Sequence, residues 1–327
     1  MVSAWIDAAR RPLPRLIGTR LALSLLMLLV VSMLIFAGIQ LLPGDAASAI
    51  LGQSATPAAR QQLELRLGLD QPALSRYLSW LGGMLRGDFG VSFSSGQPIA
   101  ATLAYRLNNT LFLAGCTALI AVPLALLIGL WSALYRGSIL DRGLNALTRA
   151  AVSLPEFFSG YLLILVFAIW LGWLPSSAAV FGEMPLSTRL YFIALPCFTL
   201  ILAVLGHMAN MTRAALLAIQ QESYVETARF KGLSPWCVLR CHVLPNAWPP
   251  IINVIVLNLA YLIVGVVIVE NVFVYPGLGQ YMIDGISKRD IPVIQACGLV
   301  LAAVYIALNL LADLLSILAN PRLRHVD

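Results

Sequence analysis

Six long apolar runs constrain this chain more than any other feature: Leu21 to Leu42, Thr110 to Leu134, Phe157 to Leu174, Leu190 to Met211, Pro250 to Val269 and Ile291 to Ala319. About 20 predominantly apolar residues cross the hydrocarbon of a bilayer as a helix. Leu21 to Val31 reads LALSLLMLLVV, without the apolar-polar alternation of a transmembrane β-strand. In lipid every backbone polar group must be satisfied internally, so with a barrel excluded the runs read as helices. Composition agrees, because 60% of the 327 residues are hydrophobic and 11% charged, against about 25% charged in a soluble domain. Those figures also exclude a disordered chain. The expected fold class is an all-α membrane protein with six transmembrane helices.

Charge sets the expected orientation. The N-terminus, the second and fourth connections and the C-terminus hold 13 Arg and Lys against five acids, among them Arg142, Arg213, Arg229 and Lys231. The other connections hold eight of each sign. The positive-inside rule therefore puts both termini in the cytoplasm. The net charge of +6 reads as positive loops beside a lipid bilayer, not as an affinity for nucleic acid. Ala47-Ser48-Ala49 resembles a cleavage site, but the apolar run before it exceeds the about 7 to 15 residues of a signal h-region, so it reads as an uncleaved first span.

Intramembrane ionisable groups are the default place to seek function. Glu156 and Asp313 fall within or beside spans, with His207 and Glu270 near span ends. An ion-coupled carrier calls for mid-membrane carboxylates or paired broken helices in two related halves. Neither is evident, and Asp313 reads as a paired or snorkelling group. No GxSxG, HExxH or GxxxxGK[ST] sequence occurs, so neither hydrolysis nor an intrinsic ATPase is expected. Cys116, Cys197 and Cys297 read as small apolar fillers. Cys237, Cys241 and His242 lack a fourth ligand nearby, so no metal site and no disulfide is expected.

The chain divides into a segment 1–20, a first span 21–42, a helical cap 43–109 and a five-helix core 110–319 with a cytoplasmic loop 212–249, followed by a tail 320–327. In the cap, Pro57 to Leu67 and Gln71 to Leu85 read as amphipathic helices and Gly87-Asp88-Phe89-Gly90 as a turn.

The loop between the fourth and fifth spans carries the richest local pattern. Ser223 with Glu226 has capping-box spacing, and Gly232 suits the positive φ that ends a helix. Ser234 offers the next N-cap, with Pro235 at N1. Two short helices joined at a glycine corner are expected, with Tyr224, Val225 and Ala228 on one face and the small Ala228 admitting a partner closely.

Glu226, Ala228, Gly232, Leu244 and Pro245 have the spacing of the EAA loop of permease subunits in binding-protein-dependent ABC importers, with Thr227 and His242 departing from its commoner residues. The resemblance extends through Leu42-Pro43-Gly44-Asp45, Gly68-Leu69-Asp70-Gln71-Pro72, Gly87-Asp88-Phe89-Gly90, Thr212-Arg213, Thr227 to Leu233, Pro276-Gly277-Leu278-Gly279, Arg289-Asp290 and Asn320 to Arg324. It narrows to the first permease of dipeptide, oligopeptide and nickel systems. The resemblance implies the type I importer permease fold in a bacterial inner membrane. It also implies a heterodimer with a second permease, two cytoplasmic ATPases that bind ATP and magnesium, and an extracytoplasmic binding protein. This chain would bind no cofactor and perform no catalysis. Tyr224, Glu226, Ala228, Arg229 and Gly232 would form the ATPase-coupling surface, and Leu244-Pro245 a hinge into the fifth span. Asn253, Asn258 and Tyr261 are candidate pathway groups, and Tyr275-Pro276-Gly277 a candidate outer gate. Short peptides are the expected cargo, ahead of nickel complexes, glutathione or opines, because no His/Cys cluster lies on the outward side. A stand-alone secondary carrier is the alternative class.

Overall fold

A computed structural model describes residues 12–41, 56–58, 61–62, 71–182 and 184–319. The Leu42-Pro43-Gly44-Asp45 and Gly68-Leu69-Asp70 motifs, most of the Pro57 to Leu67 run, and Asn320 to Arg324 lie outside the described residues. In chain order the helices are α1 Pro12–Gln40, α2 Ala73–Leu85, α3 Ile99–Leu134, α4 Ile139–Ser153, α5 Glu156–Leu163, α6 Leu186–Phe192, α7 Ala194–Gln220, α8 Ser223–Phe230, α9 Pro235–Val238, α10 Leu244–Val272, α11 Leu278–Ser287 and α12 Ile291–Ala319. Two π-helical stretches continue α5 through Ile164–Trp170 and join α9 to α10 through Leu239–Val243. Five helices among the described residues are long and apolar enough to cross a membrane. Helix α4 and the helix from Glu156 to Trp170 pass the same test of length and apolarity only when taken together, and they meet at an angle of 101°.

Several boundaries differ from those expected. The second span begins at Ile99 rather than Thr110, so the expected cap 43–109 ends in the first turns of α3. Arg106 and Asn109 do not stop that helix, because each finds a partner: Arg106 donates to Gln280 at 2.9 Å and Asn109 to the Pro276 carbonyl at 2.9 Å. The third span starts at Glu156 and ends at Trp170, where Gly172 takes φ +63°. Its 15 residues reach only about 22 Å at 1.5 Å per residue, short of the hydrocarbon. The fourth span starts at Ala194 and runs on to Gln220, and the fifth is continuous with α9.

The centre of the bundle is the packing of α3, α7 and α10, where Leu113, Ala121, Leu200, Met208, Val266 and Phe273 are buried together. Between helices in lipid, small residues allow the close approach that dispersion contacts require. A Cβ on Gly129 of α3 would lie 2.8 Å from Thr212 of α7, and one on Gly206 of α7 would lie 2.4 Å from the Thr148 carbonyl of α4. Helix α12 packs between α10 and α1. As expected, Asp313 is paired, to Arg20 of α1 at 2.9 Å. Helix α2 folds back on α1 through Tyr77, whose hydroxyl lies 2.8 Å from that of Ser32, and through edge-on and tilted ring contacts among Phe36, Tyr77 and Trp80. The turn at Gly87-Asp88-Phe89-Gly90 forms as expected: both glycines have positive φ, and Asp88 accepts from the Gly90 N–H at 2.9 Å.

Candidate functional site

At one end of the bundle, α8 and α9 meet at Gly232, whose φ is +79°. The Leu233 N–H reaches back to the Ala228 carbonyl, and Ser234 Oγ accepts from the Cys237 N–H at 3.3 Å with Pro235 at N1. The glycine corner and second cap are those the sequence pattern predicts. The expected capping box at the first helix is absent. Glu222 is the N-cap, without a side-chain cap bond, and Ser223 is already helical, its carbonyl accepting from Thr227 Oγ1. The Glu226 N–H bonds to the Glu222 carbonyl, so the helix starts one residue earlier than the serine pattern places it.

The inner face of α8 is also corrected. Val225 and Ala228 are 0% and 3% exposed, packed with Leu216, Val238, Leu239 and Val243 of the same chain. Ala228 is small because α8 must lie close to α7 and α9, and its side chain is not at a partner-facing surface. What α8 and α9 present outward is Tyr224, Glu226, Arg229, Phe230 and Trp236, with Phe230 83% exposed. Arg229 donates to Gln220 at 3.2 Å. Leu244-Pro245 is not a break in the chain path: the Leu244 N–H bonds to the Leu239 carbonyl, one residue farther back than in an α-helix. That wider turn lets Pro245, with no N–H and a ring that crowds the preceding turn, stay inside a continuous helix. Cys237 and Cys241 approach to 4.0 Å between sulfurs, and among the described residues no cluster of three metal-binding side chains exists.

Directly behind α8 lies a polar junction that sequence reasoning missed. Asp141 at the start of α4 accepts from Arg213 Nη2 at 2.9 Å, Arg213 Nε at 3.1 Å and the Gly137 N–H at 2.9 Å. It also bonds Ser132 of α3 and Asn145. Asp141 is 5% exposed and the Arg213 side chain half-buried, so α3, α4 and α7 are tied at one partly buried ion pair. Asp141 counts as an ordinary loop charge in sequence; its only local sign is Ser138 three residues before, which caps it at 3.1 Å.

At the opposite end, Glu270 is 0% exposed. Its Oε1 accepts from Thr110 Oγ1 at 2.6 Å, and its Oε2 from the Gly279 and Gln280 N–H groups at 2.7 and 3.2 Å. The carboxylate thus closes the N-terminus of α11, where unpaired N–H groups and the helix dipole favour an anion. Tyr275 is fully buried, donating to the Asn109 carbonyl at 2.9 Å, and Gly277 packs on Glu270. Nearby, Asp290 gathers the hydroxyls of Ser92 and Ser94 and the N–H groups of Phe93 and Ser94. Burial works to raise the Asp290 carboxyl, but these bonds outweigh it and hold it below the usual carboxylate range.

Between the two ends runs a groove of about 720 Å³ bounded by α4, α5, α7, α10 and α12. Asn258 and Tyr261 line it, joined by Glu156, His207 and Tyr305. Asn253 is exposed but does not line it. Among the described residues that line the groove, no nucleophile and base are set against one another.

The chain is thus a bundle of membrane-length helices with a two-helix knob at one end and a mostly apolar groove that carries a few polar groups. Residues 125–325 match the binding-protein-dependent transport system inner membrane component family, and residues 13–114 the N-terminal region of such components. The chain belongs to that family, as the membrane component of an ABC importer and not its ATPase. It is 38% identical to the glutathione transport system permease protein GsiC of Pectobacterium atrosepticum, over 91% of this chain and 95% of that one. It is 36% identical to the di/tripeptide transport system permease protein DppB of Pseudomonas aeruginosa, over 94% of this chain and 98% of that one. The fold is similar to a chain of the MetNI methionine ABC transporter in inward-facing conformations, with a TM-score of 0.56 at 20% identity over 68% of this chain and 98% of that one.

Proposed function

We propose that this chain forms half of a passage for short peptides across a bacterial inner membrane, both termini and the Gly232 corner lying in the cytoplasm. The observation that carries the cargo is the near full-length likeness to a di/tripeptide permease. A second permease closes the open side of the groove, an extracytoplasmic protein delivers peptide, and two ATPases bind ATP and magnesium. Glutathione is the second reading, favoured by the 38% identity to a glutathione permease. The outward residues Tyr224, Glu226, Arg229, Phe230 and Trp236 meet an ATPase. Val225 and Ala228 hold α8 to its own chain, so movement of the knob is passed to α7 and α10. Asn258 and Tyr261 belong to the passage. Tyr275, Pro276 and Gly277 serve the outer end by fixing α11 to α10 and α3.

The test is reconstitution of the full complex in vesicles. Addition of di- and tripeptides with the binding protein is expected to stimulate ATP hydrolysis and uptake. Stimulation by nickel complexes alone would overturn the reading. Coupling has its own test in Gly232→Val. No atom lies within 4 Å of the added Cβ, so the effect comes from backbone conformation alone. A side chain at that φ costs about 1–2 kcal/mol, and a β-branched one more. ATPase co-purification or cargo-stimulated hydrolysis should fall while membrane insertion is unchanged; wild-type uptake would show that the corner is not the link.

A further inference from the structure

The groove contains two buried acceptors that no group among the described residues satisfies. Glu156 Oε2 and Asn258 Oδ1 are both buried and without hydrogen-bond partners, and Asn258 is only 2% exposed. Asn258 Nδ2 donates to the Val254 carbonyl at 2.7 Å and to the Met211 sulfur at 3.9 Å, which leaves the oxygen unspent. Space for the carboxylate is built in: a Cβ on Gly265 would lie 2.8, 2.9 and 3.0 Å from Glu156 Oε2, Oε1 and Cδ. Among the described residues lining the groove, Glu156 is the sole carboxylate, His207 is the one basic side chain, and neither Lys nor Arg is present. An unpartnered carboxylate at membrane depth is costly, and its place in the first turn of α5 favours the anion. What such a site lacks is a donor-only cation. An ammonium group has three N–H donors and no acceptor, and aromatic faces such as those of Tyr261 and Tyr305, 56% and 41% exposed in the same groove, attract it further.

We propose that Glu156, beside Tyr261 and Tyr305, forms a transit site for the primary ammonium group of the cargo, with the Asn258 oxygen about two helical turns away along α10 as a separate acceptor in the same groove. This rests on the reading of the groove as the passage. It adds a chemical preference: cargo enters the groove amino end toward α5, and the passage itself selects for a free amine after the binding protein has made its own selection.

The test uses the complete complex with its binding protein in vesicles and radiolabelled alanyl-alanine as the probe. In Glu156→Gln, uptake should fall about tenfold while ATP hydrolysis stimulated by loaded binding protein stays within about twofold of wild type, the signature of lost cargo handling with intact coupling. The thermal midpoint of the Gln variant should not fall, because an unpartnered buried charge is removed; a merely structural carboxylate would lower it. Glu156→Asp should keep more uptake than Gln, and Gly265→Ala, which crowds the carboxylate, should lower it. If the Gln variant fails to insert, those two variants decide, and equal uptake in both overturns the site. Unchanged uptake in Glu156→Gln overturns it, as does loss of the second permease, which would make the carboxylate an interface group. Wild-type import of glutathione but not dipeptide would sink the peptide reading alone. Glutathione also bears a free ammonium, so the same variant then judges the site on that cargo. A wild-type cargo without an amine overturns both.

Discussion

Replacing Arg213 by alanine is expected to destabilise the detergent-solubilised chain by about 1–3 kcal/mol, the cost of leaving a buried acceptor unsatisfied, and less than for a fully buried ion pair because the Arg213 side chain is 24% exposed. Arg213 makes three bonds to the Asp141–Ser132 cluster, and Asp141 is 5% exposed, so the carboxylate left behind cannot be reached freely by water. Removing Arg213 frees the start of α4 from α3 and α7, immediately behind the α8 knob. The measurement is the thermal unfolding midpoint of the purified complex, with proteolysis of the α3–α4 connection as a local readout. Asp141→Leu combined with Arg213→Leu should be milder than either single change, because no charge is stranded. A single-variant loss below about 0.5 kcal/mol, the range of ordinary surface substitutions, would show that the junction does not hold the helices.

Gly277→Ala is expected to disrupt the opposite end more severely than the about 1–3 kcal/mol typical of overpacking. The new Cβ would sit 1.9 Å from Glu270 Oε1 and 2.1 Å from Cδ. The carboxylate cannot step aside, since Thr110 and the α11 N-terminus hold both of its oxygens. Either α11 detaches from α10 or the carboxylate loses its donors while still buried. Loss of folded complex at a temperature the wild type survives is the expected observation. Gly38→Ala serves as control, because nothing lies within 4 Å of its Cβ and its φ is not positive. Adding Glu270→Ala should make the combined loss less than the sum, since the two changes share one clash. Additive losses, or a wild-type midpoint for Gly277→Ala, would show that the contact is not rigid.

The two ends differ in how far they can be read from sequence. The glycine corner and its Ser234-Pro235 start are local devices, decided within a few residues by φ preference, a side-chain acceptor and a missing N–H, and they form where the sequence pattern places them. The capping box at Ser223 is local too, yet it fails, because Glu222 begins the helix and the burial of Val225 and Ala228 sets which face turns inward. That face is chosen by α7 and α9, and no spacing within α8 announces it. Likewise Asn253, Asn258 and Tyr261 look equivalent along one apolar helix, but only the latter two line the groove.

Sequence alone determines that this chain lives in lipid as a bundle of helices, since runs of uncharged residues long enough to cross a bilayer admit few other structures. The chain therefore shows the number of apolar stretches, their approximate places and the glycine corner. The bend that shortens the third span, the partners of Asp141 and Glu270, and the acceptors of Glu156 and Asn258 that find no partner among the described residues were decided by tertiary structure alone. Their partners or empty neighbours lie on other helices: Asp141 meets a guanidinium 72 residues away and Glu270 a hydroxyl 160 residues away. Whether a buried polar atom is satisfied depends on which helices meet, and helices that all face lipid with similar apolar surfaces carry too little pattern along the chain to say which do.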